Sequence, residues 1–261
     1  MNLEEVRSKS IGLVLSGGGV KGMAHIGMIQ ALNEFGIQAQ VVSGSSVGAL
    51  VGAMYANGNT VSEMLNFFKE TPLFRYHFMT IVKPGLLDTE RYFDVLLKYF
   101  PKNTFEALER KLYVIATDMQ RGEERIFSEG ELIRPLLASA ALPPVFSPIE
   151  IEGTIFADGG IMNNFPYYQV AENADYVVGS NLMGIRVLSK EGINSSYQLA
   201  NRTTSLMMYA NNRIKVKKCD LLFEPNDLDL IGILDKKGIE KAYTIGYEHA
   251  LKKLQEIFVA V

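Results

Sequence analysis

The chain of 261 residues has one cysteine, Cys219, so it can hold no intramolecular disulfide framework. Beside an apolar run, a lone thiol reads as a small buried hydrophobe and fits a reducing compartment. Histidine is almost as scarce, with only His25, His77 and His249. No His, Cys and Asp cluster has metal-ligand spacing, so neither a metal nor a cofactor is expected. There is no long basic block, and 26 basic against 29 acidic residues give a net charge of −3, which argues against nucleic acid as a partner. No apolar run approaches the roughly 20 residues that span a bilayer. Met1 to Lys9 is polar and charged, without the apolar core of a secretory signal. The expectation is a soluble, cytoplasmic protein able to work at a membrane periphery. Internal repeats and low-complexity stretches are also lacking, and the length suits one domain with an elaborated cap.

What the chain does have is two strand–glycine turn–helix units in its first third. Ile11 to Leu15 is a buried-strand run, followed by Ser16-Gly17-Gly18-Gly19-Val20-Lys21-Gly22. A helical apolar pattern then runs from Met23 to Phe35, stopped by Gly36. The second unit is Val41-Val42-Ser43-Gly44-Ser45-Ser46-Val47-Gly48-Ala49-Leu50, a short strand, a G-x-S-x-G turn and a helix start. A serine on such a turn is pushed above the sheet edge, and small flanking residues let strand and helix pass closely. By spacing, Ser46 is the exposed residue of the elbow, between Gly44 and Gly48. In a parallel sheet both turns emerge at the carboxyl edge, where ligands bind. Three glycines there leave backbone N–H groups bare at a helix N-terminus, an anion site in waiting.

Farther along, Thr60 to Glu63 is a capping box opening a short amphipathic helix. Asp88 and Thr89 cap another that Pro101 stops. Strands are expected at Lys111–Thr117, with Arg125–Phe127 pairing back, at Tyr176–Gly179 and at Leu221–Phe223; Glu150–Phe156 reads as a hairpin turning near Gly153. Helices are expected at 132–139, from Pro166 to about Asn173, at 193–213 and at about 237–257. Strands alternating with helices imply α/β, a three-layer sandwich around a largely parallel sheet. We expect a single domain over 1–261, with residues about 60–103 as a cap or lid and 183–261 as a C-terminal elaboration.

Serine hydrolysis needs a nucleophile, a base and donors for the developing oxyanion. Ser46 is the candidate nucleophile, and the amides of Gly17, Gly18 and Gly19 are candidate donors. None of the histidines stands on a glycine turn at a strand end, so each reads as structural. Asp158 differs: it follows a strand directly, and Gly159 and Gly160 after it permit close backbone approach.

The ordered set Gly17-Gly18-Gly19-Val20-Lys21-Gly22, Gly44-Ser45-Ser46-Val47-Gly48 and Asp158-Gly159-Gly160 resembles the patatin-like phospholipase family. Ala116-Thr117-Asp118 with Gly122, the segment from Ser139 to Pro148, and Asn164 with Pro166 extend the likeness over residues about 10 to 182. The resemblance implies a patatin-like fold and a lipid acyl hydrolase with a Ser–Asp dyad and no histidine. Ser46 is then the nucleophile, Asp158 the base, and the loop from Gly17 the oxyanion hole, with Gly22, Gly44, Gly48, Gly159 and Gly160 supporting the motifs. Two positions depart: Lys21 stands where such proteins often have arginine, and Ser16 where plant members tend to have aspartate. An ordinary carboxylate, pKa about 3.9, is a feeble base, so the dyad requires Asp158 to be desolvated and within hydrogen-bond reach of Ser46.

Three rivals stay in view. Gly17-x-Gly19-x-x-Gly22 fits a dinucleotide fingerprint, but the next strand ends in Ser43-Gly44 rather than an acid; a P-loop fails because Lys21 precedes Gly22. A Ser–Asp–His esterase or thioesterase on soluble esters would use His249 or another histidine, and a non-catalytic lipid-binding module would keep the fold alone. The partner is a lipid or ester. The apolar stretch Leu73, Phe74, Tyr76, Phe78, Met79, Ile81 and Val82, with Arg75 and Lys83, is either a lid or membrane contact, or core filling beside the sheet.

Overall fold

One mixed sheet runs through the computed structural model, which describes residues 2–71, 79–185 and 187–259. Its eight strands among these residues are β1 (Ile11–Leu15), β2 (Val41–Ser45), β3 (Lys111–Asp118), β4 (Glu123–Phe127), β5 (Ile149–Ile151), β6 (Thr154–Asp158), β7 (Tyr176–Ser180) and β8 (Leu221–Phe223). They lie in the order β5-β6-β3-β2-β1-β7-β8, with β4 also on β3. The pairs β8–β7, β7–β1, β1–β2 and β2–β3 are parallel, whereas β4, β5 and β6 pair antiparallel. The expected parallel sheet is therefore its central part, and the hairpin at one end runs against it.

The helices are α1 (Leu3–Arg7), α2 (Met23–Glu34), α3 (Val47–Ala56), α4 (Val61–Glu70), α5 (Phe93–Leu97), α6 (Ile133–Ser139), α7 (Gly160–Asn163), α8 (Tyr168–Ala171), α9 (Ser196–Val216) and α10 (Ile239–Phe258). Strand alternation sorts the core into two layers. Leu13, Leu15, Val42 and Val178 point to the larger one, shared with residues of α2 to α6 and α10. Val14, Val41 and Val177 point to a smaller one, closed by Phe165, Val170 of α8 and Val216 of α9. Helices α2 and α10 pack backbone to backbone: a Cβ on Gly27 would lie 2.2 Å from Tyr243 O, and one on Gly246 2.2 Å from Ala24 O.

Two helices differ from expectation. The one expected from Pro166 reduces to Tyr168–Ala171, because the Pro166 carbonyl accepts from Ser43 Oγ at 2.7 Å and so is committed to the sheet rather than to a helical turn. The one after Asp88 opens as a 3-10 turn at Thr89–Tyr92, with Asp88 accepting from Glu90 N–H, before α5. The capping box of Thr60 and Glu63 forms as read, and α9 starts three residues late on a capping box of Ser195 with Gln198. No helix among the described residues is long and apolar enough to cross a membrane. His77, Arg75 and the apolar residues at 73–78 lie outside the described residues. Of that stretch, Met79, Ile81 and Val82 are exposed, and Lys83 pairs with Asp88 and Glu90.

Candidate active site

The elbow between β2 and α3 holds Ser46 at φ 56°, ψ −128°, a conformation costly for any residue with a side chain. Its surroundings impose it. A Cβ on Gly44 would come within 2.4 Å of Gly48 O, and one on Gly48 within 2.3 Å of Leu15 O, so the turn closes where only glycine fits. The Ser46 N–H donates to Ser139 Oγ at 2.9 Å.

Along one edge of β3, β2 pairs with Lys111 to Ile115 and β6 with Ala116 to Asp118. Asp158, the last residue of β6, thereby reaches the elbow: Ser46 Oγ donates to Asp158 Oδ2 at 2.6 Å across 112 positions of sequence. Asp158 Oδ1 accepts from Gly160 N–H at 2.8 Å. The carboxyl group is 2% exposed, and burial pushes its pKa up to about 6 against the two hydrogen bonds, which act in the opposite direction. Its backbone is pinned as well: Asp158 N–H donates to Ala141 O, Gly159 N–H to Ser139 O, and Thr117 Oγ1 to Asp158 O. Ser139 thus braces both halves, its hydroxyl holding the elbow and its carbonyl holding the turn after the carboxylate. The sequence likeness included the segment beginning at Ser139; nothing in its local pattern reveals the brace.

The glycine loop lies against the same elbow. A Cβ on Gly17 would lie 3.0 Å from Ser46 Cβ and one on Gly22 2.3 Å from Val47 Cγ2. Gly17 N–H is directed at Asn164, 3.1 Å from Oδ1 and 3.3 Å from the carbonyl. The amides of Gly18 and Gly19 have no such partner among the described residues, and Gly19 takes a positive φ of 59° beneath Ile233. Lys21 is nearly buried and pairs with Asp229 at 3.7 Å.

His25 is fully buried under this loop. Its Nε2 lies 2.8 Å from Ser16 O and its Nδ1 2.8 Å from Ser180 Oγ. A carbonyl only accepts, so Nε2 carries the proton and Nδ1 accepts from the hydroxyl. Burial holds its pKa down, at about 4. His249 packs edge-on against Phe223, and neither histidine hydrogen-bonds Ser46 or Asp158. Among the described residues no group of His, Cys, Asp and Glu could hold a metal ion. Burial pushes the Cys219 thiol up to about 12, an inert group.

Ser46 opens into an apolar cavity. Its walls come from Val20 and Met23, from Val47 and Leu50, and from Leu137, Leu142 and Phe146. The segment expected as a cap supplies Phe67, Phe68, Thr89, Tyr92, Val95 and Leu96, and the C-terminal part supplies Ile233, Leu234 and Ile239. An elongated apolar group can lie here with its polar end at Ser46.

The profile described as patatin-like phospholipase matches residues 13–171. An uncharacterized NTE family protein of Mycobacterium tuberculosis is 34% identical over 181 residues, covering 68% of this chain and 50% of its own. Lysophospholipase NTE1 of Pyricularia oryzae is 32% identical over 162 residues, covering 60% of this chain and 11% of its own. The chain therefore spans half or less of the length of these curated relatives. VipD from Legionella pneumophila superposes with a TM-score of 0.57 at 17% identity, covering 95% of this chain and 67% of that one. Human GIVD cytosolic phospholipase A2 does so with 0.50 at 12% identity, covering 97% and 58%. At such identities these structures speak for the fold alone.

Proposed function

Since the chain belongs to the patatin-like phospholipase family, we propose that it is a serine lipid acyl hydrolase working through a Ser46–Asp158 dyad. The observation that carries this reading is the 2.6 Å hydrogen bond from Ser46 Oγ to Asp158 Oδ2 at the foot of an apolar cavity. Residues about 60–103 act as the cap and the chain beyond 183 as an elaboration, each lending wall to that cavity.

Burial makes the carboxylate a better base than its ordinary counterpart, because its conjugate acid is less acidic. The acyl chain lies in the cavity with the ester carbonyl over Ser46. As Oγ attacks the carbonyl carbon, its proton passes to Asp158 Oδ2, and the negative charge gathers on the former carbonyl oxygen. The amides of Gly18 and Gly19 receive that charge, while Gly17 holds the loop to Asn164. One such donor is worth roughly 3 kcal/mol in a serine protease, so two offset much of what a weak base lacks. Collapse of the adduct breaks the ester C–O bond, and Asp158 returns the proton to the leaving alcohol or lysolipid. Asp158 then takes a proton from water as it attacks the acyl-serine; the second adduct releases the fatty acid, and the proton returns to Ser46. No histidine enters, which accords with His25 being engaged by Ser16 and Ser180.

The test is a panel of phospholipid, lysophospholipid, monoacylglycerol and soluble short-chain ester, hydrolysed by wild type, Ser46→Ala and Asp158→Asn. Wild type should cleave at least one long-chain substrate, and both variants should lose about 1,000-fold or more. Wild-type rates in Ser46→Ala would refute the reading, and loss of activity on replacing His249 alone would favour the histidine-dependent esterase.

A further inference from the structure

Helix α9 is turned with its apolar side outward. Leu199, Leu206, Met207 and Ile214 are exposed, Met207 by 66%, and their spacings of seven and eight residues put them on one face. Inward, among the described residues, only its C-terminal end reaches the core, where Val216 joins the smaller layer, and its neighbours on that side are polar. Asn212 is 1% exposed with neither amide atom hydrogen-bonded, and Lys215 Nζ donates to Asn163 Oδ1 at 2.7 Å. No described side chain of α9 before Asn212 is buried. Asn163 itself donates its N–H to Gly159 O, next to Asp158, so Lys215 anchors the helix close to the catalytic edge of the sheet. From that anchor α9 continues back to Ser196, about 28 Å at 1.5 Å per residue.

The charge around this stripe is one-sided. From Ser196 to Lys218 the chain has Arg202, Arg213, Lys215, Lys217 and Lys218 and no acidic residue, although the whole chain is net −3. Arg213 lies beside the stripe and Lys217 at its C-terminal end, and both are exposed. Long cationic side chains bordering an apolar stripe can leave their stems in an apolar layer and their heads among phosphates. A second copy of the helix packed parallel would bring the same cations against one another and one packed antiparallel would leave them unneutralised, whereas an anionic lipid surface neutralises them.

We propose that α9 is a docking helix for an anionic phospholipid bilayer, seating Leu199, Leu206, Met207 and Ile214 at the acyl boundary and Arg213 and Lys217 among the headgroups. The surface shares no residue with the dyad, so it stands or falls separately from the hydrolase reading.

The experiment uses the full chain as Ser46→Ala, so that vesicles stay intact, in flotation with phosphatidylcholine alone or mixed with phosphatidylglycerol. Binding is expected only to the mixed vesicles and should weaken at high salt. Leu206→Asp with Met207→Asp should weaken it about 100-fold or more. Arg213→Gln with Lys217→Gln should weaken it about 30-fold, or roughly 5-fold per charge. Ile257→Asp, at an exposed position of α10, should bind as the parent does. All five altered surface residues are exposed, and an unchanged melting curve reports an intact fold. Three outcomes overturn the proposal: equal binding to neutral vesicles, undiminished binding after the aspartate pair, and a lipid-free dimer that the same pair dissociates.

Discussion

Ser45 and Asp158 are the final residues of two strands that run toward each other along a single edge of β3, Ser45 facing Ile115 and Asp158 facing Ala116. Consecutive β3 residues are 3.8 Å apart at Cα, so the chain leaving β2 at Ser46 has nowhere to go but over the arriving carboxylate. The pairing of hydroxyl and carboxylate is a product of strand direction: a parallel neighbour in place of β6 would put its last residue at the far side of this edge.

The pH dependence of hydrolysis follows from the burial of Asp158. In the proposed mechanism its ionised form is the base, and its pKa is raised to about 6. On a soluble ester, kcat/KM should rise with pH as one deprotonation with a midpoint near 6, falling about tenfold per pH unit below it. A midpoint near 4 would mean that the working carboxylate is hydrated.

The same burial makes Asp158 a liability for stability. A carboxyl pKa raised on folding favours the folded state in its protonated form. That contribution is complete below the unfolded value of 3.8 and is lost as pH rises through about 6. Asp158→Asn should therefore be more stable than wild type at pH 7, by on the order of 2–3 kcal/mol, and the gap should close between pH 6 and 4. Urea unfolding at pH 7 and pH 4.5 measures both.

His25 has the opposite sign. Its pKa falls from 6.5 to about 4 on folding, so its contribution is full above 6.5 and is lost as pH drops through 4. His25→Ala should cost on the order of 3 kcal/mol at pH 7, from a buried Ser16 carbonyl and Ser180 hydroxyl left unpaired and from the cavity. Its effect on hydrolysis should fall on kcat and leave the acid midpoint near 6, as expected of a group that positions the glycine loop and transfers no proton.

Gly48 is a test of the elbow itself. An added Cβ meets backbone oxygens of Leu15 and Ser16 at 2.3 and 2.6 Å, atoms that cannot swing aside. Gly48→Ala should destabilise by about 1–3 kcal/mol and reduce kcat by displacing Ser46 from the loop. Calorimetry alongside turnover on a short ester separates the two effects.

Leu137 faces the cavity from α6. Leu137→Trp should shift the ratio of long-chain to short-chain kcat/KM against long chains by about tenfold or more, with little change on the shortest ester.

Much of the meeting of Ser46 and Asp158 was readable because each sits on a local signal: a β-branched run, then glycines at fixed offsets around Ser46, and an Asp-Gly-Gly step at a strand end. What was not readable depends on contacts between distant segments. The hairpin of β5 and β6 shows in the alternation of residues 150–156, but its direction relative to β3 does not. Ser139 acts through two atoms that meet different strands, leaving no periodic trace. The apolar stripe on α9 is visible as a pattern, yet periodicity alone cannot say whether it faces in or out. The helix expected at Pro166 shortened because a serine on β2 claims its carbonyl.

Part of the container lies on stretches of chain apart from the proposed chemistry. Phe68, Val95 and Ile239 shape the space above Ser46, and none of them hydrogen-bonds either member of the dyad or the loop that faces it. Substitutions there can redraw which molecules fit while leaving the reactive oxygen where it is, so selectivity can diverge between descendants of this fold without any redesign of the reacting groups.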